Sequence, residues 1–355
     1  MSSGYSKNKW IYWLEELGAA HNQVVGKKCA NLGELIKGGF PVPPGFAIGL
    51  VAYERFLRET NVRKKIEKYL GSFKGDPNDL SEAPRYEEAA KMMRDIVESE
   101  TMPHDFSDAI VTYYGELCRR TGIEDVPVSV RSAGPASHPG QYETYLYVRG
   151  KTEVMKNVTK VWSSTFNQRS LLARAQRGLP MDFDPIGVAV IKMVDAKSAG
   201  VMFTANPISG DVSRIRIEGN WGLGESVVSG SVTPDEWMVD KITFEISHRR
   251  IRKKEVQYIV DQSKGKCCYS TVPIDRQEVE CLNEEEIIEL ARVGKKIEKY
   301  FDTVQDIEWA IDKSAPFSQS VLILQTRSAE VINKRIGKGK SDSPVDVIAG
   351  LWRPR

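Results

Sequence analysis

The chain has 355 residues, 41% hydrophobic and 28% charged, and its 50 Lys and Arg against 48 Asp and Glu leave a formal net charge of +2. That length favours two domains or two lobes, and that composition excludes collagen, a mucin stalk and wholesale disorder. The near-neutral balance calls for neither nucleic acid nor an acidic membrane, and no apolar run approaches the roughly 18–20 residues of a membrane-spanning helix.

The first ten residues lack the apolar core of a signal peptide. The cysteines at 29, 118, 267, 268 and 281 are odd in number and show no C-x-x-C, so neither a disulfide framework nor a zinc site is suggested. A cytoplasmic, reduced protein is the expectation. Cys267 and Cys268 read as an incidental strand pair, because a vicinal disulfide is strained. The four histidines, His21, His104, His138 and His248, are isolated from one another in sequence and form no metal cluster.

Residues 25–34, VGKKCANLGE, place a glycine before a helix that carries lysines in its first turn. Exposed N–H groups and an ammonium there favour a phosphate; the alternative is an ordinary helix start with surface lysines. Residues 60–122 are rich in Glu, Lys and Arg and read as helices. Residues 126–131, VPVSVR, read as a strand ending in Arg131, followed by the small-residue loop SAGPASHPGQYET. Such a loop exposes backbone N–H groups that can wrap phosphate oxygens, and Arg131 can bind them with its fork; otherwise it is a surface loop with a solvated arginine.

Residues 151–177 read as helix. From residue 186 the texture changes to short β-rich runs at 186–194, 200–204, 214–218 and 236–239, punctuated by Gly, Pro and Asn. Two of the turns, GVMFTANPISG and NWGLGES, either wall a cleft or simply join core strands. Residues 283–301 read as a helix, with Ile287, Leu290, Ile297 and Phe301 on one face and Asn283 with Glu286 as a capping box.

Two closing strands are expected at 304–311 and 320–327. Asp306 and Glu308, and likewise Gln325 and Arg327, stand two residues apart and therefore share a face. Ile307, Trp309, Leu322 and Leu324 are expected on the other face, toward a core. A hairpin centred near Pro316 sets Asp306 opposite Arg327 and Glu308 opposite Gln325. Two carboxylates and an amide suit Mg²⁺, and Arg327 suits a phosphate; the alternative is a solvated face with cross-strand ion pairs. The expected whole is α+β: a helix-rich front lobe at 1–185, a sheet-rich back lobe at 186–335 and a flexible tail at 336–355, with a ligand cleft between the lobes.

Together these segments resemble the nucleotide-binding part of phosphoenolpyruvate synthases, pyruvate phosphate dikinases and rifampicin phosphotransferases, over about residues 25–331. The resemblance implies an ATP-grasp fold with ATP between two lobes. Lys28 matches the lysine of V-G-G-K-x-A-N-L-G, and Arg131 the arginine of V-R-S-S. Gly140, Gln141 and Thr144 fall in G-Q-x-E-T, and Glu308, Gln325 and Arg327 in D-I-E-W and Q-x-R. The implied roles are ATP binding by all eight of these residues, Mg²⁺ held by Glu308, Gln325 and Asp306, and catalysis by Arg131, Glu308 and Arg327. Three positions depart from the family pattern: Lys27 replaces a glycine, Ala133 and Gly134 replace the second serine and its neighbour, and Ile191 stands where relatives carry a glutamine beside the adenine.

Full-length relatives carry a swivelling domain with a T-S-H motif whose histidine is phosphorylated, and this sequence contains no such segment. The implied partner is a phosphohistidine-bearing subunit in a hetero-oligomer. Family members that phosphorylate phenol, with AMP and phosphate as coproducts, are divided in this way, and their smaller ATP-binding subunit is similar to this chain. Competing readings are an excised domain of a longer synthase or antibiotic phosphotransferase, and a non-catalytic nucleotide-sensing subunit.

Overall fold

The computed structural model describes residues 9–135, 142–207 and 209–329. The chain is α+β and divides into two compact units. The first holds the chain up to Gly33 together with Pro44–Met193; the second holds Glu34–Pro43 and the chain from Val194. Gly140, Gln141, His138 and the expected tail lie outside the described residues.

In the first unit, strands β1 (Ile11–Trp13), β2 (Gly45–Ile48), β3 (Val128–Ala133), β4 (Thr144–Val148) and β5 (Gly187–Lys192) form one antiparallel sheet in the order β1-β2-β5-β3-β4. The lobe boundary expected at residue 185 is therefore placed too early. β5 pairs with β2 and β3 at the middle of this sheet, and its buried run of small and β-branched residues suits a central strand.

Helix α1 (Lys27–Lys37) begins in this unit. Five further helices, α2 (Leu50–Glu59), α3 (Val62–Leu70), α4 (Ala83–Glu98), α5 (His104–Thr121) and α6 (Lys151–Ser163), are followed by α7 (Gln168–Gln176). The helical texture read over 60–122 thus resolves into α3, α4 and α5. Their apolar faces and the sheet bury Phe46, Tyr53, Phe56, Tyr86, Phe106, Tyr114, Trp162 and Phe166 in one core. Tyr53 stacks on Trp162 with ring centroids 5.5 Å apart, and its hydroxyl is satisfied by the Trp162 carbonyl at 3.1 Å.

The second unit is built on a six-stranded antiparallel sheet. Its strands are β6 (Ala196–Phe203), β7 (Arg214–Trp221), β8 (Asp235–Asp240), β9 (Ile246–Arg250), β12 (Gln305–Asp312) and β13 (Val321–Ser328), in the order β13-β12-β6-β7-β8-β9. β10 (Val256–Asp261) and β11 (Lys266–Thr271) form a separate hairpin. Helix α8 (Glu284–Phe301) lies on one face of the larger sheet. Its capping box is present: Glu286 N–H donates to Asn283 Oδ1, and Asn283 N–H to Glu286 Oε2, both at 2.8 Å. Ile287, Leu290, Ala291 and Ile297 are buried, as are Ile217, Trp237, Ile307, Trp309 and Ile323, which point to that face of the sheet. Gly294 lets the helix come close to β6, since a Cβ there would stand 2.7 Å from the Met202 sulfur.

A β-bulge opposite Glu308 and Trp309 corrects one expectation. Glu308 pairs with Gln325, but Trp309 pairs with Ile323, so Leu324 is the inserted residue. The bulge reverses the alternation of β13. Ile323 takes the core face, while Leu322 and Leu324 turn to the face of Glu308, where they pack with Val194, Ala199 and Ala310.

Candidate nucleotide-phosphate and cation sites

In the first unit, the start of α1 is locked against the end of β3. Gly26 has φ +83°, and a Cβ there would lie 2.0 Å from the Ala133 carbonyl oxygen. Only glycine accepts that backbone and that approach. Lys27 N–H then donates to the Gly134 carbonyl at 2.8 Å. Lys27 itself is not among the positive-φ residues, so a lysine costs no backbone strain where the family pattern has glycine. Lys28 and Arg131 are half-buried, and both cations bear on the buried thiol of Cys29, lowering a pKa that burial raises to about 12. Thr144 is the cross-strand partner of Arg131. Lys28, Arg131 and Thr144 are thus carried by three segments that meet in one unit. Ile191 is buried and pairs with Gly45 and Ser129.

In the second unit, the face of the sheet opposite α8 carries two cross-strand rows. One runs Gln325, Glu308, Val201, Glu218, Glu236, Arg250; the next runs Arg327, Asp306, Phe203, Arg216, Met238, His248. Partners in such rows share a face. The pairing read from sequence, Asp306 with Arg327 and Glu308 with Gln325, is the register observed. Arg327 donates to Asp306 Oδ2 from Nε at 2.7 Å, and its Nη2 lies 2.6 Å from the same oxygen. Burial pushes the Asp306 carboxyl above its ordinary value, Arg327 opposes that rise, and Glu308 adds to it.

Sequence reading missed the continuation of the charged strip. Arg216 Nη2 lies 2.5 Å from Glu218 Oε1 and 2.7 Å from Glu236 Oε2. Glu218 is only 7% exposed and its pKa is raised, first by burial and then by Glu236 and Asp306, against the pull of Arg216. The signal was present: Arg216 and Glu218 stand two apart on a strand, as Asp306 and Glu308 do.

Two carboxylates and an amide are hard oxygen donors of the kind Mg²⁺ takes while keeping several waters. Among the described residues no three His, Cys, Asp or Glu side chains converge to cage a metal. Asp306 is engaged by Arg327 through Oδ2.

A glycine–lysine helix start and a carboxylate–amide–arginine strand pair, in one α+β chain, are features that a nucleotide-binding class of protein would use. The chain belongs to the pyruvate phosphate dikinase AMP/ATP-binding domain family, whose model matches residues 22–344. It is 36% identical to a probable phosphoenolpyruvate synthase of Staphylothermus marinus over 374 residues, covering 98% of this chain and 44% of that protein. It is 38% identical to one of Methanocaldococcus jannaschii over 332 residues, covering 92% of this chain and 27% of that protein. The phosphoenolpyruvate synthase of Pyrococcus furiosus is 36% identical, with 86% and 42% covered. The chain thus spans less than half the length of these relatives. A solved D-alanyl-alanine synthetase A from Vibrio cholerae covers 70% of this chain and 57% of its own, at 11% identity and a TM-score of 0.30, too slight a likeness to build on. No helix among the described residues is long and apolar enough to cross a membrane.

Proposed function

We propose that this chain is the Mg-ATP-binding module of a dikinase-type phosphotransferase of ATP-grasp design. The observation that carries the reading is the Asp306–Arg327 and Glu308–Gln325 register, which sets cation donors and a phosphate-type arginine side by side in a chain of an AMP/ATP-binding family. Lys28, Arg131 and Thr144 of the first unit bind the phosphates. Gly140 and Gln141 belong to the same phosphate loop by their motif. Glu308 and Gln325 hold Mg²⁺, which when bound neutralises phosphate charge. Arg131 and Arg327 stabilise charge as it shifts to the leaving groups. Phosphoryl transfer is chiefly positioning and charge stabilisation, so these residues supply no nucleophile.

The nucleophile is a histidine outside this sequence, on a partner subunit or further domain. The balance is ATP, histidine and water to phosphohistidine, AMP and phosphate. The acceptor that discharges the histidine is set by that other part. The names of the relatives make pyruvate the first acceptor to test, and the likeness to the separate ATP-binding subunit of phenol-phosphorylating members makes phenol the second.

The test uses ATP labelled at the β-phosphate, with Mg²⁺, in a dialysed extract of the source organism supplemented with this protein. The expected result is AMP and an acid-labile, base-stable label on another polypeptide, discharged by pyruvate or by phenol. Glu308→Ala and Arg131→Ala abolish that label. Normal labelling with either variant overturns the residue roles, and ATP binding without AMP or label favours a nucleotide-sensing subunit instead.

A further inference from the structure

We propose that Arg94 and Glu143 form a positioning pair that aims Thr144 and Arg131 at the nucleotide phosphates. This rests on the phosphate-binding reading of the first unit. Glu143 belongs to the G-Q-x-E-T motif, yet no ligand role has fallen to it. Its carboxylate is taken by α4: Arg94 Nη1 donates to Oε1 at 2.6 Å and Nη2 to Oε2 at 3.2 Å. The Tyr145 hydroxyl also donates to Oε2, and the Glu143 N–H donates to Ser164 Oγ at 3.3 Å. The neighbouring Tyr142 hydroxyl donates to Asp184.

The consequence follows from strand geometry. Residues 143 and 145 face the helices, where Lys160 of α6 lies 5.6 Å from the Tyr145 ring centre. Alternation turns residue 144 to the other side. Thr144 and its cross-strand partner Arg131 share that side, while the neighbouring pair Val130 and Tyr145 faces the core. A bidentate fork fixes orientation as well as distance. Arg94 therefore sets the angle at which the chain enters β4, and with it the face that Thr144 and Arg131 present. The end of β3 is held independently by the Lys27 N–H on the Gly134 carbonyl.

The test compares Mg-ATP and adenosine binding by calorimetry, with thermal unfolding alongside, for wild type, Arg94→Ala, Glu143→Ala, Arg94→Lys and the double reversal Arg94→Glu with Glu143→Arg. A small misplacement of a phosphate contact is expected to weaken ATP by about tenfold or more in the alanine variants and leave adenosine unchanged. Arg94→Lys weakens ATP as well, because one ammonium cannot take both oxygens in a fork, and it keeps the test open should the alanine variants unfold. The double reversal recovers most of the loss. Equal weakening of ATP and adenosine, or a lower unfolding temperature with unchanged ATP affinity, would make the pair merely structural and overturn the proposal. Failure of the wild type to bind ATP would instead overturn the reading on which it rests.

Discussion

Arg327 directs both Nε and Nη2 at a single oxygen, Oδ2 of Asp306, at 2.7 and 2.6 Å across the β12–β13 ladder. The pair holds the guanidinium in place and offsets the burial of the carboxylate. Burial raises the Asp306 pKa and Arg327 is what restrains it. Arg327→Ala removes the restraint, so the carboxyl retains its proton to higher pH in the folded state. The folded state then binds more protons than the unfolded one, and the stability of the variant falls as pH rises. Chemical denaturation from about pH 4 to pH 7 is expected to show the deficit of Arg327→Ala widening with pH. A deficit independent of pH would count against the coupling.

Gly26→Ala should be among the most damaging small substitutions in the first unit. The new Cβ meets the Ala133 carbonyl oxygen at 2.0 Å, at a φ of +83° that alanine rarely adopts. Strain of this kind costs of order 1–3 kcal/mol before the clash is counted. Relief requires α1 to lift off the end of β3, which displaces Lys28 from Arg131. A lower unfolding temperature together with weaker Mg-ATP binding is expected. Gly150→Ala is the control: its φ is also +83°, but nothing lies within 4 Å of a Cβ there. Equal losses in the two variants would show that backbone strain alone, and not the approach to Ala133, is decisive.

The second unit contains a fully buried ion pair, Lys254 Nζ to Asp235 Oδ1 at 2.7 Å, with both side chains at 0% exposure. It is well satisfied. Asp235 also accepts from the N–H of Arg252 at 2.9 Å and of Cys281 at 3.0 Å, and Lys254 donates to the Arg252 carbonyl at 2.8 Å. These bonds tie β8 to the segment before β10 and to the chain entering α8. Lys254→Met strands a buried carboxylate, and breaking such a pair costs about 3–5 kcal/mol. Denaturant titration should show that loss, and replacing Asp235 by Leu as well should recover much of it. A single-variant loss under about 1 kcal/mol would place the pair in the cheap, solvent-screened class instead.

Much of the second-unit site was legible because a strand has a period of two. Asp306 and Glu308 had to share a face, and a short hairpin left one register that matched both polar pairs. What escaped was Leu324. A bulge adds a residue without any change in composition, so simple alternation put Leu322 and Leu324 on the wrong face. The lobe boundary failed for a related reason: the β-rich texture from residue 186 is local, whereas the partners of Gly187–Lys192 lie at Gly45–Ile48 and Val128–Ala133, far away in sequence. Arg216 and Glu218 carried the same i, i+2 signal as Asp306 and Glu308, but no recognised motif drew attention to it. The helix start at Gly26–Lys28 was weak as a short motif. The contact of Gly26 with Ala133, which links residues more than a hundred positions apart, could not be read from it.

Cys29 offers a probe of that contact. It is fully buried, and its thiol is raised to about 12 although Lys28 and Arg131 both pull it down. At pH 8 only about one thiol in ten thousand would be ionised, and the thiolate is the reactive form. Labelling of native protein with a thiol reagent should therefore leave Cys29 silent, like the equally buried Cys281, until α1 opens locally. Its slow modification then reports the opening free energy of the Gly26–Ala133 contact. On the proposed reading Mg-ATP binds at Lys28 and Arg131 and stabilises the closed form, so saturating nucleotide should slow Cys29 labelling in proportion to one plus the ratio of free ligand to Kd. Cys281 in the second unit serves as the internal reference in the same tryptic digest. Cys29 labelling that ignores nucleotide, in a protein that binds it, would place the phosphates away from Lys28 and Arg131.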